Sequence, residues 1–439
     1  MWPENCRSEL RRFAAMPPPR RSTLLAALSL LASAGAAAGA AAGAPFDLAL
    51  TPPDIVARRG AACLDGSPTG VYLMRGAEAR KWRVHFHGGG FCASVADCEA
   101  RAQGQYGSSR FWPASVYDLC DSPTQCTAVF GLLSNYTENP MGQWNAVLVP
   151  YCDGSSWTSN RAAPLGSLHF RGRANLDAVV DQLEALGSLT SAATDVVITG
   201  TSAGGVVVFE HATHLRSRLP AAATVVSVPD AGVFLDAPNI SGASVYPDMM
   251  RAAGGPALWN ATFDGADPAC LAHYGPGSAE AWKCLLAQYL LPFATVPTFV
   301  INSQYDVASM NYILQPGCSL AVPGQCSAQQ AAAIGAFRAQ LLGNITAAIN
   351  ATASGGFFLH SCWQHESSCR WLDYTAVKIG GVSMMDAFVA WYDGVRAREG
   401  RPPLLGSGSG GAAVPTRVAD GPYGSDATCL PQDFVHGGC

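Results

Sequence analysis

The stretch VITGTSAGGVVVFEHATHL, residues Val197–Leu215, joins an apolar β-branched run directly to an amphipathic run. Ser202 lies at the junction, in the frame Gly200-Thr201-Ser202-Ala203-Gly204. A Gly-x-Ser-x-Gly frame between a strand and a helix is typical of a nucleophile elbow, a sharp turn that exposes the serine hydroxyl above the sheet edge. The helix N-terminus beneath it favours developing negative charge. The stretch therefore predicts a catalytic serine. The alternative is a glycine-rich turn with an ordinary capping serine.

Strands and helices are predicted to alternate on both sides of this turn. Apolar runs predict strands over 71–74, 81–87, 144–152, 193–200, 223–232, 297–306 and 355–362. Helical spacing of apolar residues predicts helices over 168–186, 203–219, 327–350 and 384–397. Nearly all-apolar strands that alternate with helices are typical of a parallel sheet covered on both faces. The predicted fold class is α/β, α/β-hydrolase-like, with a mostly parallel sheet and helices on both faces.

The composition of residues 1–43 indicates a signal peptide. Arg20 and Arg21 precede an apolar run that is rich in Ala and Gly and ends in small residues. An uncleaved anchor is the alternative, which the Ala/Gly content past Leu31 disfavours because it is weak for spanning a membrane. We expect residues 44–399 to form one hydrolase domain, and residues 400–439 to form a Gly/Ser/Pro linker with a short cysteine-containing tail.

Cysteine and sequon content indicates the secretory pathway. Of 15 cysteines, 14 remain once Cys6 leaves with the leader, an even number that suits an oxidising compartment. Short spacings favour local disulfides at Cys92/Cys98, Cys120/Cys126, Cys270/Cys284, Cys318/Cys326 and Cys362/Cys369. Candidate N-glycosylation sequons begin at Asn135, Asn239, Asn260, Asn344 and Asn350. We therefore predict a secreted, extracellular protein.

Charge and spacing disfavour several other classes of protein. The net charge is −5, and −8 without the leader, which carries five arginines and two glutamates. No basic run lies outside the leader, so no nucleic-acid partner is predicted. No other stretch approaches about 20 unbroken apolar residues, so no membrane span is predicted in the mature chain. The cysteine pairs lack zinc-ligand spacing, so no metal site is predicted. We expect no cofactor, and we expect the protein to be a monomer.

A nucleophilic serine needs a base and an orienting acid, which in this fold class follow it in the order acid, then histidine. Asp306 ends the strand TFVINSQYD, and His365 follows the strand GGFFLH. Both are predicted at the carboxyl edge of the sheet, which also carries Ser202. Other titratable residues near these strands are Asp230, His360, His211 and His214. The first two stay open as alternatives, and the last two are expected to be structural.

The run HFHGGGFC, residues His85–Cys92, ends an early strand with three glycines. Glycine lets the backbone approach a substrate closely and turn its N–H groups inward. We expect the amides of Gly89 and Gly90, with that of Ala203, to form an oxyanion hole. A plain loop is the alternative. A phosphate-binding loop is disfavoured because Gly-Lys-Ser/Thr is absent.

At these residues the sequence resembles the pectin acetylesterase/Notum family. The resemblance extends from Leu64 to Phe388 and is carried by HGGGFCASVADC, GLLSNYTENPMGQWNAVLVPYCDGSSWT, LHFRG, GTSAGG, PDAGVFLD, INSQYD and SCWQHES. It implies that Ser202 is the nucleophile, Asp306 after Tyr305 the acid and His365 the base. The resemblance therefore favours Asp306 over Asp230 and His365 over His360.

The family has two branches, which remove either O-acetyl groups from plant cell-wall polysaccharide or a fatty acyl group from a signalling protein. YCDGSSWT and LHFRG resemble the first branch, and QHE at Gln364–Glu366 resembles the second. This sequence has His87 where the family usually has Glu, Phe91 where Trp is common, and Gly421 and Gly424 where the tail would carry cysteines. The pairing of Cys369, Cys429 and Cys439 therefore stays open.

The predicted function is a secreted serine esterase, pectin acetylesterase-like, that acts through an acyl-enzyme on acetylated polysaccharide. An acylated protein is the alternative substrate. The only cluster of large apolar residues near the expected pocket is Met249, Met250, Leu258 and Trp259, which favours a modest cleft and a short acyl group. A non-catalytic binding protein and a secreted peptidase of the same fold are the remaining alternatives.

Overall fold

The computed structural model describes residues 46–116, 131–350, 354–404, 415–425 and 428–429. Their main feature is a sheet of nine strands in the order β1-β2-β4-β3-β5-β6-β7-β8-β11. The strands are β1 Asp47–Leu50, β2 Gly70–Met74, β3 Glu78–Phe86, β4 Trp144–Val149, β5 Asp195–Thr201, β6 Thr224–Asp230, β7 Phe299–Ser303, β8 Gly356–His360 and β11 Arg417–Ala419. A separate two-stranded pair consists of β9 Lys378–Ile379 and β10 Val382–Ser383. β2 runs antiparallel to β1 and β4, and all other neighbours in the large sheet are parallel.

Helices fill most connections between the strands. The α-helices are Pro53–Arg59, Val95–Arg101, Gly172–Gly187, Leu189–Ala192, Ala203–Ser217, Val245–Gly254, Ala261–Asp264, Pro268–Tyr274, Ala287–Leu290, Val307–Ser309, Ala328–Asn350, Trp371–Ala376 and Met384–Arg398. Short 3₁₀ turns lie at Ser109–Phe111, Ala281–Leu285 and Leu291–Phe293, and a π-helical turn at Met310–Leu314. We call Ala203–Ser217, which begins directly after Ser202, the elbow helix.

Helices cover both faces of the sheet, as the strand pattern predicted. Along β5, Val196 and Ile198 pack with the elbow helix and helix Gly172–Gly187. Val197, between them, packs instead with helix Met384–Arg398. Successive side chains of a strand point to opposite faces, so a strand covered on both faces must be apolar throughout. The predicted α/β-hydrolase-like fold class is confirmed.

Helix Ala328–Asn350 is long and apolar enough, by length and composition, to cross a membrane. Its buried residues recur every three or four positions and are Ile334, Phe337, Leu341, Ile345 and Ile349. They share a core cluster with Val300 of β7 and Leu359 of β8. Such spacing is that of a surface helix with one apolar face on the core. In this structure the helix packs on the sheet.

Five disulfides lie within the described residues. Three join the predicted local pairs: Cys92–Cys98, Cys270–Cys284 and Cys318–Cys326. The predicted pairing of Cys362 with Cys369 is wrong, because Cys362 bonds Cys429 across 67 residues. The sequence also did not predict Cys63–Cys152, which spans 89 residues. Cys369 is itself disulfide-bonded; Cys120, Cys126 and Cys439 lie outside the described residues.

Residues 415–425, which we call the C-terminal strap, add a strand to the sheet in a region where the sequence predicted only linker and tail. β11 pairs in parallel with β8, with Val418 opposite Phe358. Beyond it, the strap contacts the loops that follow β7 and β8: Asp420 Oδ2 accepts a hydrogen bond from the Ser361 hydroxyl, and the Tyr423 amide donates to the Tyr305 hydroxyl at 2.9 Å. The Cys362–Cys429 disulfide fixes the chain just past the strap.

Candidate active site

The turn at Ser202 has the strained geometry of a nucleophile elbow. Ser202 has φ 56° and ψ −123°, a conformation that non-glycine residues adopt only under constraint. Its amide donates to the Asp230 carbonyl at 3.0 Å. A Cβ at position 204 would lie 2.0 Å from the Phe86 carbonyl oxygen, and one at position 200 would lie 2.3 Å from the Gly204 oxygen. Both glycines are therefore required by the close packing of β3, β5 and the elbow helix.

Asp306 and His365 form a hydrogen-bonded pair at the carboxyl edge of the sheet. His365 Nδ1 lies 2.5 Å from Asp306 Oδ2. The other carboxylate oxygen, Oδ1, accepts the Ser309 amide at 2.7 Å, so Asp306 also caps the short helix that follows it. The Val307 amide donates to the Gln364 carbonyl at 3.3 Å and ties the two loops together. These contacts fix the carboxylate against the imidazole.

The electrostatic surroundings make His365 a stronger base than an ordinary histidine. Burial by itself lowers the pKa of His365. The negative charge of Asp306 and its hydrogen bond to Nδ1 outweigh that effect, and Glu366 and Asp230 add to it, so the net pKa is raised. The His365 side chain keeps 23% of its surface exposed, whereas that of Asp306 keeps 1%. Solvent therefore reaches the imidazole but not the carboxylate.

The His365 loop and the elbow converge at Gly88. A Cβ at position 88 would lie 2.8 Å from Ser202 Cβ and 2.7 Å from Glu366 Oε1. Ser202 is 7% exposed. Across the described part of the chain, neither its hydroxyl nor His365 Nε2 hydrogen-bonds a protein group. Catalytic hydrogen bonds are often long or unmade in free enzymes and tighten when substrate binds.

Asp230 and His360, the two residues left open by the sequence, do not contact His365. Asp230 Oδ2 accepts the amides of Ser367 and Ser368 at 2.7 and 2.6 Å. Burial raises the Asp230 pKa to about 6 against these hydrogen bonds. His360 Nε2 contacts the Ser367 hydroxyl at 2.8 Å, and burial lowers the His360 pKa to about 4. Both residues hold the loop just past His365.

The two histidines of the elbow helix have other partners. His211 is fully buried, and its Nε2 lies 3.0 Å from the Trp157 carbonyl oxygen. His214 Nε2 lies 2.7 Å from Asp177 on helix Gly172–Gly187. These contacts give both residues a structural role, which the sequence favoured.

The predicted oxyanion-hole amides have no protein acceptor in the described chain. Gly89 and Gly90 have φ 150° and 68°, which side chains rarely adopt. A Cβ at position 89 would lie 2.6 Å from the Tyr151 ring and 2.8 Å from the Tyr106 ring. The Ala203 amide is at the first position of the elbow helix, where N–H groups lack partners within the helix. Three N–H groups are thus available near Ser202.

Four aromatic residues form a cluster beside His365 that the sequence did not reveal as a unit. Phe234 lies 6.4 Å from the His365 ring, and Phe234 also contacts Tyr246 and Phe91, at 5.8 and 6.3 Å between ring centres. Trp259 packs on Phe91 at 5.9 Å and donates its Nε1 proton to the Cys92 carbonyl. Phe234, Tyr246 and Trp259 are buried, and Phe91 is half-buried. The protein's own side chains therefore fill this side of the site.

The candidate glycosylation residues lie at the surface to different extents. Asn135, Asn239, Asn260 and Asn344 are half-buried, and Asn350 is exposed. Asn239 Oδ1 accepts the amides of Ser241 and Ala243, and Asn350 Oδ1 accepts from Arg417 at 3.0 Å. These asparagines stay predicted sites. Across the described residues, no group of three or more His, Cys, Asp or Glu has the arrangement of a metal site.

A serine elbow on a mostly parallel sheet, next to an imidazole–carboxylate pair, defines the α/β-hydrolase class. The chain matches the family model described as pectinacetylesterase over residues 45–429 and belongs to that family. It is a carboxylic-ester hydrolase.

Curated relatives come from both branches of the resemblance. Pectin acetylesterase 5 of Arabidopsis thaliana is 29% identical over 405 residues, which cover 87% of this chain and 84% of that protein. Pectin acetylesterase 7 of the same plant is 31% identical over 76% of this chain and 85% of its own length. Palmitoleoyl-protein carboxylesterase NOTUM of Schmidtea mediterranea is 28% identical over 69% of this chain and 55% of its own length.

Proposed function

We propose that the protein removes O-acetyl groups from polysaccharide, with Ser202 as nucleophile, His365 as base and Asp306 as the orienting acid. The observation that carries the proposal is the 2.5 Å contact between Asp306 Oδ2 and His365 Nδ1, on the loop that meets Ser202 at Gly88. Membership of the pectinacetylesterase family supports the substrate class.

In the first half of the reaction, His365 Nε2 takes the proton of the Ser202 hydroxyl while Oγ attacks the ester carbonyl carbon. The amides of Gly89, Gly90 and Ala203 stabilise the oxygen, which gains a full negative charge. When the tetrahedral intermediate collapses, the bond to the sugar oxygen breaks and His365 gives its proton to that oxygen. Asp306 stabilises the imidazolium in the meantime and keeps its own charge.

In the second half, water replaces the sugar. His365 Nε2 takes a proton from water, whose oxygen attacks the acetyl group on Ser202. The same amides hold the second tetrahedral intermediate, and its collapse returns the proton to Ser202 Oγ and releases acetate. The cycle needs one ester and one water and yields one alcohol and one acid.

The aromatic cluster beside His365 favours a short acyl group. A fatty acyl chain must bury many methylenes, each of which stabilises binding by about 0.8 kcal/mol, and needs an open apolar cavity to do so. Phe234 and Tyr246 are each 4% exposed and Trp259 is fully buried. Phe234 already packs on Tyr246, and Phe91 lies between Phe234 and Trp259. A NOTUM-like activity on an acylated protein is the second candidate, favoured by the relatives of that name.

We also infer that the protein acts outside the cell as a monomer. Disulfides persist in oxidising compartments, and Cys63–Cys152 and Cys362–Cys429 join residues far apart in the sequence. Size-exclusion chromatography of the protein secreted by cultured cells tests both statements.

The activity is tested by the dependence of rate on acyl length. Purified protein is assayed on nitrophenyl acetate, butyrate and octanoate, on acetylated polysaccharides and on a peptide nitroanilide. We expect the highest kcat/KM on acetyl esters and acetate release from polysaccharide. In Ser202→Ala, we expect a loss of about 10⁴–10⁶-fold with retained folding. Faster turnover of octanoate than acetate would favour the lipid-removing candidate, and cleavage of the amide would favour a peptidase.

A further inference from the structure

The glycine run after β3 is held by hydrogen bonds to its carbonyl groups. Arg101 donates from Nη1 to the Gly89 carbonyl at 2.8 Å and from Nη2 to the Phe91 carbonyl at 3.3 Å. The Cys92 carbonyl accepts from Trp259 Nε1 at 3.0 Å. The Arg101 guanidinium therefore holds two carbonyl groups of this run, and the Trp259 indole holds a third.

The contact to Gly89 also fixes the direction of the next amide. The Gly89–Gly90 peptide is trans, like every peptide bond of the described chain. In a trans peptide the C=O and the following N–H point in opposite directions. Because the Gly89 oxygen points at Arg101, the Gly90 N–H must point away from Arg101. Glycines on both sides leave this peptide free to rotate unless something holds its oxygen.

Arg101 is itself held firmly enough to act as such a support. It ends helix Val95–Arg101, whose residue Cys98 is bonded to Cys92 at the end of the glycine run. Its guanidinium carbon lies 5.8 Å from the ring centres of both Tyr106 and Tyr151, a favourable cation–π distance. The planar guanidinium supplies two parallel donors, a geometry that lysine cannot reproduce.

We propose that Arg101 is a positioning residue for ester hydrolysis: it keeps the Gly89–Gly90 peptide oriented so that the Gly90 N–H faces the oxyanion. This inference rests on the proposed function, since it assumes that the reaction passes through an oxyanion beside Ser202. Arg101 touches neither Ser202 nor His365, and it acts through the backbone alone. Its effect belongs to the transition state, where the oxygen is charged, and not to substrate binding.

The test compares Arg101→Ala and Arg101→Lys with Arg171→Lys. Arg171 is a matched control, because its guanidinium also donates to backbone carbonyls, those of Gly60, Arg161 and Arg59, away from the glycine run. A misplaced or missing oxyanion donor typically lowers kcat by about 10²-fold. We expect that loss in Arg101→Ala, a smaller loss in Arg101→Lys, little change in KM, and wild-type kcat in Arg171→Lys.

Two further measurements separate positioning from general destabilisation. An alkyl boronic acid, which forms a tetrahedral adduct with a serine hydroxyl, should lose affinity for Arg101→Ala by about the same factor as kcat/KM. Millimolar guanidinium chloride, far below denaturing concentrations, should restore part of kcat in Arg101→Ala and leave Ser202→Ala inactive. Thermal unfolding of each variant shows whether the protein is folded during the assays.

The proposal is overturned if Arg101→Ala keeps kcat within about threefold of wild type, or if its whole loss appears in KM. Equal losses in Arg171→Lys and Arg101→Lys would also overturn it, because backbone support anywhere would then have the same effect. Full activity in Ser202→Ala would instead refute the proposed function.

Discussion

Replacing Asp306 by Asn tests the acid–base pair with little structural change. Asp306 Oδ1 accepts the Ser309 amide at 2.7 Å, and the Asn carbonyl oxygen can keep that contact. Asn and Asp are about equally good helix caps, so the fold should be preserved. The Asn amide nitrogen then occupies the place of Oδ2, 2.5 Å from His365 Nδ1.

That exchange of oxygen for nitrogen changes the tautomer of the His365 imidazole. An amide nitrogen can only donate, so Nδ1 must become the acceptor and the imidazole proton moves to Nε2. A protonated Nε2 cannot take the Ser202 proton. The corresponding change in a serine protease costs about 10⁴-fold in kcat, which is about 5 kcal/mol of transition-state stabilisation at 1.36 kcal/mol per factor of ten.

The assay is the initial rate of nitrophenyl acetate hydrolysis, with circular dichroism as the folding check. Asp230→Asn is the matched control, because Asp230 is equally buried at a strand end but contacts the Ser367 and Ser368 amides. We expect the control to lose stability more than turnover. If Asp306→Asn retains more than about a tenth of wild-type kcat, or if folded Asp230→Asn is the slower enzyme, the assignment of the acid is wrong.

Two further predictions concern pH and covalent cross-links. Activity should fall as pH drops through the His365 pKa, because only the neutral imidazole accepts a proton; Glu366→Gln removes a charge that raises this pKa, so the acid limb should shift to lower pH. A pH–rate profile in which Glu366→Gln leaves the limb in place, as we expect for the surface control Glu280→Gln, would contradict that. Replacing both Cys362 and Cys429 by Ser should lower the free energy of unfolding by about 4 kcal/mol, against about 2.5 kcal/mol for Cys318 and Cys326, because the first pair closes 67 residues and the second closes 8. Urea unfolding measures both, and a larger loss for the shorter loop would refute the entropic argument.

The features that the sequence predicted well are local ones. The elbow could be recognised because its glycines, its strand and its helix all lie within the 23 consecutive residues Asp195–Ser217. The apolar strands β3 to β8 were predicted for the same reason, because the run of apolar residues within each strand indicates by itself that the strand is buried. Asp306 and Asp230 could not be separated from residue type alone, because each lies at or just past the end of an apolar strand. The difference between them lies in what each one contacts in the loop after β8: Asp306 meets the His365 imidazole, and Asp230 meets the amides of Ser367 and Ser368.

The features that the sequence missed depend on contacts between distant residues. β11 is three residues long, too short for any periodicity, and it exists because β8 offers a parallel edge. The pairing of Cys362 with Cys429 follows from that strand and not from cysteine spacing. In the sequence, Arg101 resembles an exposed charge at the end of a short helix. Only the folded structure shows that its guanidinium contacts the carbonyl of Gly89.

The C-terminal strap has a consequence for how the protein is made. It contacts Tyr305, which precedes Asp306, through the Tyr423 amide, and its Tyr423 ring packs on Trp363, two residues before His365. The ribosome synthesises the strap after β7 and β8, the strands whose following loops it contacts. In the nascent polypeptide, the edge of β8 therefore stays unpaired until β11 has left the ribosome. Formation of the Cys362–Cys429 disulfide is then a late step of maturation, and a chain released before it would carry both loops unbraced.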